Sequence, residues 1–349
     1  MSLTKKKGED FIIKKHLSTI LLATLLLIMS ILSLFIGVID IDLHKLLFGG
    51  DGMELQIFLL ARIPRLLAIL CTGVGMSVAG LIMQQLCMNK FVSPSTGATI
   101  QSAQFGILLS LVFFPAIGLW GRVLLAFATS ILGTWIFVWF VQRIQFKNTV
   151  LVPLIGIMFG NVLGGITSFI AYKFEVTQQL STYFVGSFAL IIKGNYELVW
   201  LAVPLVIIAF IFANYFNIVG MGKDFSQNLG VNYKLVLFLG LTIASMITAS
   251  IVTIVGQISY IGLIVPNIVA MFKGDKIKGT LVDTALLGAL FVLVCDVVAR
   301  SVIMPYELPI ELIVGIIGSV MFIAMLIYKL NHGKKAIRLG KAKEGVRCE

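Results

Sequence analysis

Only three histidines, 16 acidic residues and four cysteines occur in 349 residues, and each scarcity removes a class of chemistry. His16, His44 and His332 fall near span ends or in tails. A path for naked transition-metal ions is expected to carry His, Cys or carboxylate ligands inside the membrane, so any metal that crosses here is expected to be wrapped in an organic chelate. Cys71, Cys87, Cys295 and Cys348 have no C-x-x-C spacing, which excludes both a disulfide framework and a zinc site. The nucleotide loop G-x-x-x-x-G-K-[ST] is missing, so the chain does not hydrolyse ATP by itself. The apolar runs hold no nucleophile–base pair, which argues against a membrane-embedded enzyme. With acids this scarce the net charge is +11, but the basic residues sit in short connectors and tails. That distribution fits anionic lipid headgroups and not nucleic acid.

What the chain does have is apolar length. It is 59% hydrophobic with a mean hydropathy of +1.03, far outside the range of soluble domains. Lipid is then the solvent, and continuous apolar runs of about 20 residues fit spanning helices, not the short alternating segments of a barrel. The expected fold is all-α and polytopic, with ten spans near residues 17–38, 63–87, 96–114, 119–141, 149–172, 192–213, 234–254, 258–272, 280–299 and 309–329. The lysine-rich start and the first apolar run could be mistaken for a signal peptide, but the run is too long and lacks a small-x-small cleavage site. No linker divides the chain. We read a basic N-tail over 1–16, one membrane domain over 17–329 and a basic C-tail over 330–349.

Placing the N-terminus inside puts 20 of the 27 Lys and Arg on the cytoplasmic side, the usual bias, and an even number of spans returns the C-terminus there. Lys45, Arg62, Arg65, Arg122, Lys173, Lys193 and Arg300 remain outside. Arginine is costly near hydrocarbon, so Arg62 and Arg65, bracketing Ile63-Pro64, need a reason to be there. One reason is anchoring of helix ends in the headgroups. Another is an acidic partner arriving from outside. Asp296, four residues before Arg300, predicts a local ion pair. Asp283 lies near the other end of the same span. Gly80-Leu81-Ile82 is echoed by Gly262-Leu263-Ile264, which is too short for a repeat and fits recurring small-residue helix packing.

The stretch from Arg62 runs RIPRLLAILCTGVGMSVAGLIMQQLCMNKFVSPSTGAT, and a second runs GQISYIGLIVPNIVAMFKGDK from Gly256 to Lys276. Together with Cys295-Asp296-x-x-Ala299-Arg300 and Glu307-Leu308-Pro309, these resemble, in order and at family spacing from about residue 60 to 325, the permeases of type II ABC importers for ferric siderophores, haem and vitamin B12. The chain keeps that family's Arg62, Pro64, Arg65, Gly73, Gly80, Gln84, Asn89, Pro94 and the run Gly262 to Pro266. It departs at Asn267 and Ala270, where His and Arg are usual, and at Lys90 and Val320, where proline is usual. The NKFVSP run and the segment from Cys295 to Glu307 are similar to the branch that imports catecholate siderophores such as petrobactin.

The resemblance implies the type II permease fold in a bacterial cytoplasmic membrane, and a transport subunit with no cofactor of its own. It implies a second permease subunit, identical or related, two ATPases carrying ATP and magnesium, and an extracytoplasmic siderophore-binding protein or lipoprotein. It makes Arg62, Arg65 and Arg300 docking residues for that protein. Residues 220–234 become the coupling segment, with Gly222, Ser226, Leu229 and Gly230 at family positions. A short helix there would offer Phe225 and Leu229 to a groove on an ATPase while Lys223 and Asp224 fix its orientation. Gly156, Gly160 and Gly164, spaced by four on the fifth span, fit close helix packing. Compatibly, that face and Asn161, with the second span and its Gly73, Gly80 and Gln84, and with Gly262 and Pro266, are expected to line the path. Haem or vitamin B12 is the alternative cargo, and a proton-coupled secondary carrier is the alternative of another class.

Overall fold

A computed structural model describes residues 2–37, 53–143, 151–274 and 277–345, with backbone alone for 2–16, 142, 278 and 329–345. Lys45, His44, Lys147, Lys276 and Cys348 lie outside the described residues. Helices follow the apolar runs: α1 (Ser2–Phe35), α2 (Ile63–Leu86), α3 (Thr99–Phe113), α4 (Leu119–Arg143), α5 (Leu151–Lys173), α6 (Thr177–Phe184), α7 (Ala202–Val219), α8 (Lys223–Asn228), α9 (Tyr233–Val255), α10 (Ile261–Lys273), α11 (Ile277–Ser301) and α12 (Ile310–Gly345). Among the described residues eight helical runs are long and apolar enough to cross a membrane, and α3 and α10 are shorter apolar helices. Each of the ten expected spans therefore has its helix.

α2 lies at the centre, enclosed by α7, α9, α10 and α11. α9 also touches α3 and α4, joining a second group in which α5 packs on α3, α4 and α6. Lipid offers no hydrophobic drive for helices to associate, so close approach of small residues and hydrogen bonds between helices must supply it. Both are present. A Cβ at Gly80 would stand 2.0 Å from the Gly262 carbonyl oxygen, and one at Gly73 would stand 2.5 Å from that of Gly288. The echoed Gly-Leu-Ile triplets thus mark where α2 and α10 cross. A buried hydroxyl cluster ties α3, α4 and α9: Thr134 lies 2.9 Å from both Thr99 and Ser245, and Ser130 donates to the Ser245 carbonyl at 3.2 Å.

Several helix ends differ from expectation. Helical structure reaches α2 from Met53, through a π-helical turn at Phe58–Arg62, so Arg62 and Arg65 sit within a helical run and not at its mouth. Pro64 has no N–H for the Leu60 carbonyl, which accepts instead from the Lys193 amide at 2.9 Å. The sixth span begins at a 3-10 turn, Glu197–Leu201, and runs to Val219. Residues 192–196, expected inside it, lie ahead of that turn, with Gly194 at φ +102°. The first helix begins at Ser2 and the last continues to Gly345, both well past the expected spans.

Candidate functional site

We call the end of the bundle carrying Arg62, Arg65 and Arg300 the arginine end, and the end carrying Lys90, Lys223 and Lys273 the lysine end. At the arginine end, Arg65 reaches two acids from distant segments. Its Nη1 lies 2.7 and 3.0 Å from the Glu307 oxygens and its Nη2 2.8 Å from Asp296 Oδ1. Arg300 pairs with Asp296 at 2.8 Å, the local pair that their spacing predicted. Arg300 also donates to the Ser33 and Ile36 carbonyls at 3.2 and 2.7 Å and to Ser33 Oγ at 2.6 Å, and Arg62 donates to the Ile36 carbonyl. Carbonyls at a helix C-terminus lack intrahelical donors and favour cations, so these arginines cap α1 and hold it to the core.

Of the expected docking set, Arg62, Arg65 and Arg300 come together around one open cavity of about 190 Å³, with Glu307 as the only acid in its lining among the described residues. Arg300 is only 3% exposed and is directed at α1, so it braces the cavity from below. The expectation of headgroup anchoring does not describe Arg65, whose guanidinium is engaged by acids of its own chain. Glu307 as a partner of Arg65 was missed. Nothing local in the sequence joins residues so far apart.

At the lysine end, α8 follows Gly222, whose φ of +109° suits glycine, and is closed by Gly230 at φ +73°. Ser226 is buried and donates to the Gly222 and Ile218 carbonyls at 2.6 and 3.1 Å, pinning the short helix to the end of α7. Phe225 and Leu229 face outward at 47% and 56% exposure, with Lys223 and Asp224 also exposed. Gln84 donates to the Gly262 and Leu263 carbonyls at 3.2 Å. Gln84, Gln85, Asn89, Lys90, Gly220 and Pro266 line a cavity of about 240 Å³ at this end.

Two of the departures from the family pattern meet here. Asn267 Nδ2 donates to the carbonyl of Lys90 and to that of Leu263, both at 2.7 Å. Deeper on the same side, Lys273 pairs with buried Asp283 at 2.7 Å, and Asp283 accepts from Thr19 of α1 at 2.7 Å. Asp283 thus ties the middle of α1 to α11, while Arg300, paired with Asp296, holds its C-terminal end.

The expected path residues divide. Gly73, Gly80, Gln84 and Gly262 are enclosed within the subunit and serve helix packing, since α2 is the central helix. On α5, Gly156 abuts the Thr96 carbonyl and Gly160 abuts Gln101, while Gly164 meets nothing within 4 Å. The opposite stripe of α5 is exposed, with Met158, Asn161, Val162, Gly165, Phe169 and Tyr172 on it. α5 does not share this face with α2, contrary to the expectation that both line one path.

Among the described residues no group of three or more His, Cys, Asp and Glu is placed to hold a metal ion. A multi-pass helical bundle with a small polar helix presented at one end and an arginine-lined cavity at the other is built to move something across a membrane, not to transform it. This defines a membrane permease. The chain belongs to the FecCD transport family, whose model matches residues 25–328.

It is 45% identical to the petrobactin import system permease protein YclN of Bacillus subtilis (strain 168), covering 87% of this chain and 96% of that protein. It is 39% identical to the petrobactin import system permease protein FatD of Bacillus anthracis, covering 87% and 89%. A solved structure described as an inward-facing conformation of a metal-chelate type ABC transporter superposes with a TM-score of 0.74 at 26% identity, covering 89% of this chain and 98% of that one. The protein is thus the permease subunit of an ABC importer, non-catalytic, and works with ATPase and binding-protein partners.

Proposed function

We propose that this permease carries a ferric siderophore of the catecholate type into the cytoplasm. The observation that carries the reading is the 45% identity with a petrobactin permease, sustained over 96% of that protein's length. Two membrane subunits, this chain with a copy or a related partner, stand beside two ATPases. Both termini are cytoplasmic, a placement supported by the 20 basic residues on that side.

A loaded binding protein or lipoprotein docks at the arginine end. Its carboxylates form charge-assisted bonds with Arg62 and Arg65, which suit a contact that must orient a partner and then release it. At the lysine end α8 seats on an ATPase through Phe225 and Leu229, and Gly222 and Gly230 supply the backbone turns that present it. ATP binding and hydrolysis shift the pair of permeases between outward and inward openings. Cargo passes between the subunits along the exposed stripe of α5, beside Asn161.

The test is growth under iron limitation of a bacterium deleted for its own siderophore permeases and supplied with this importer's genes. Ferric petrobactin is expected to restore growth, and Leu229→Asp to abolish the restoration. Rescue by haem, with none by ferric petrobactin, contradicts the proposal.

A further inference from the structure

The docking reading asks Arg65 to receive a partner's carboxylate, yet the guanidinium already holds two. The acids differ in how they are held. Asp296 is 1% exposed, sits on α11 and is shared with Arg300 at 2.8 Å. Glu307 is 22% exposed and stands on the connection between α11 and α12, where Val302, Ile303, Met304 and Tyr306 are all exposed. Among the described residues it is also the one acid lining the 190 Å³ cavity that Arg62, Arg65 and Arg300 line. Removing a paired charge and leaving its partner bare is expensive, whereas exchanging one carboxylate for another keeps the charge paired throughout.

We infer that Glu307 occupies the seat of the incoming partner's carboxylate, and that docking proceeds by exchange. An acidic side chain of the binding protein enters the cavity and replaces Glu307 on Arg65, and Glu307 swings out with its loop. Asp296 stays, keeping Arg65 aligned. Glu307 is then a latch that sets how strongly the empty arginine end attracts acidic partners, and it weakens binding instead of contributing to it. This inference rests on the docking reading of Arg62 and Arg65.

The experiment measures the affinity of the transport system's own purified binding protein for the complete importer in lipid nanodiscs. Wild type, Glu307→Gln, Glu307→Ala and Arg62→Glu are compared, with thermal melting of each complex as a folding control. Because an internal competitor is removed, Glu307→Gln is expected to lower Kd about fivefold to tenfold and to steepen its salt dependence. Glu307→Ala is expected to do the same. A merely structural role for Glu307 predicts weaker binding and a lower melting temperature.

If Arg62→Glu weakens binding while both Glu307 variants leave Kd unchanged or higher, the latch is overturned and the docking reading stands. If Arg62→Glu in a folded complex leaves Kd unchanged, the docking reading falls and the latch falls with it.

Discussion

At the scale of single residues the fold turns on which glycines are covered. Gly80 lies where α2 and α10 cross, and a Cβ there meets the carbonyl oxygen and Cα of Gly262 at 2.0 and 2.4 Å. Both obstacles are backbone, so relief means separating two helices. Gly80→Ala is expected to destabilise by about 1–3 kcal/mol, the usual cost of overpacking. Gly164→Ala has open space and is expected to leave the folded fraction unchanged. Thermal melting of the detergent-solubilised protein by fluorescence-detected gel filtration separates the two, and equal melting temperatures would count against the crossing.

These glycines were visible in the sequence as candidates for packing, but their partners were not. Periodicity reports a face and not what it touches. Asn267 and Lys90 were likewise visible only as two unrelated departures, until the 2.7 Å bond joined them.

At the scale of elements, the ten apolar spans were legible because lipid demands about 20 apolar residues and internally satisfied backbone. Their ends were less so. The Leu60 carbonyl released by Pro64 finds its donor at Lys193, a contact between segments far apart in sequence. α1 is secured at its C-terminal end by the Arg300 bonds and near its middle by the Thr19–Asp283–Lys273 contacts. Sequence marked Asp283 and Asp296 as unusual without indicating that Asp283 holds α1 through Thr19, or that Asp296 holds Arg300, which caps it.

α8 was the most legible element of the proposed sites, because residues 220–234 resemble the family's coupling segment at Gly222, Ser226, Leu229 and Gly230. Its prediction is specific. Leu229→Asp places a charge in the proposed ATPase contact while Ser226 still pins the helix, so stimulation of ATPase activity by loaded binding protein is expected to fall at least tenfold, about 1.4 kcal/mol or more of coupling. The folded amount stays constant. Unchanged stimulation in proteoliposomes would remove α8 from the coupling role.

At the scale of the whole molecule, one subunit encloses its own central helix and leaves α5 exposed along one stripe, with Met158, Val162 and Phe169 more than 60% exposed. This stripe is the face proposed above for the path between two permeases. Val162→Arg is therefore expected to leave the single subunit folded but to lower the fraction of paired permeases in nanodiscs, read by mass photometry; an unchanged fraction would move the pairing elsewhere. The sequence suggested that α2 shared this face, because its glycines resembled those of α5. Small residues serve buried crossings and open paths alike, so only the three-dimensional arrangement tells them apart.

ATP-driven import of a ferric siderophore can be read directly from transport by the purified importer. Sealed proteoliposomes holding the permease pair and ATPases, with loaded binding protein outside and ATP inside, are assayed for uptake of radioiron as ferric petrobactin. Accumulation is expected to require internal ATP, to persist with a protonophore and to be lost with Leu229→Asp. Uptake that proceeds without ATP and collapses with the protonophore would contradict ATP-driven import.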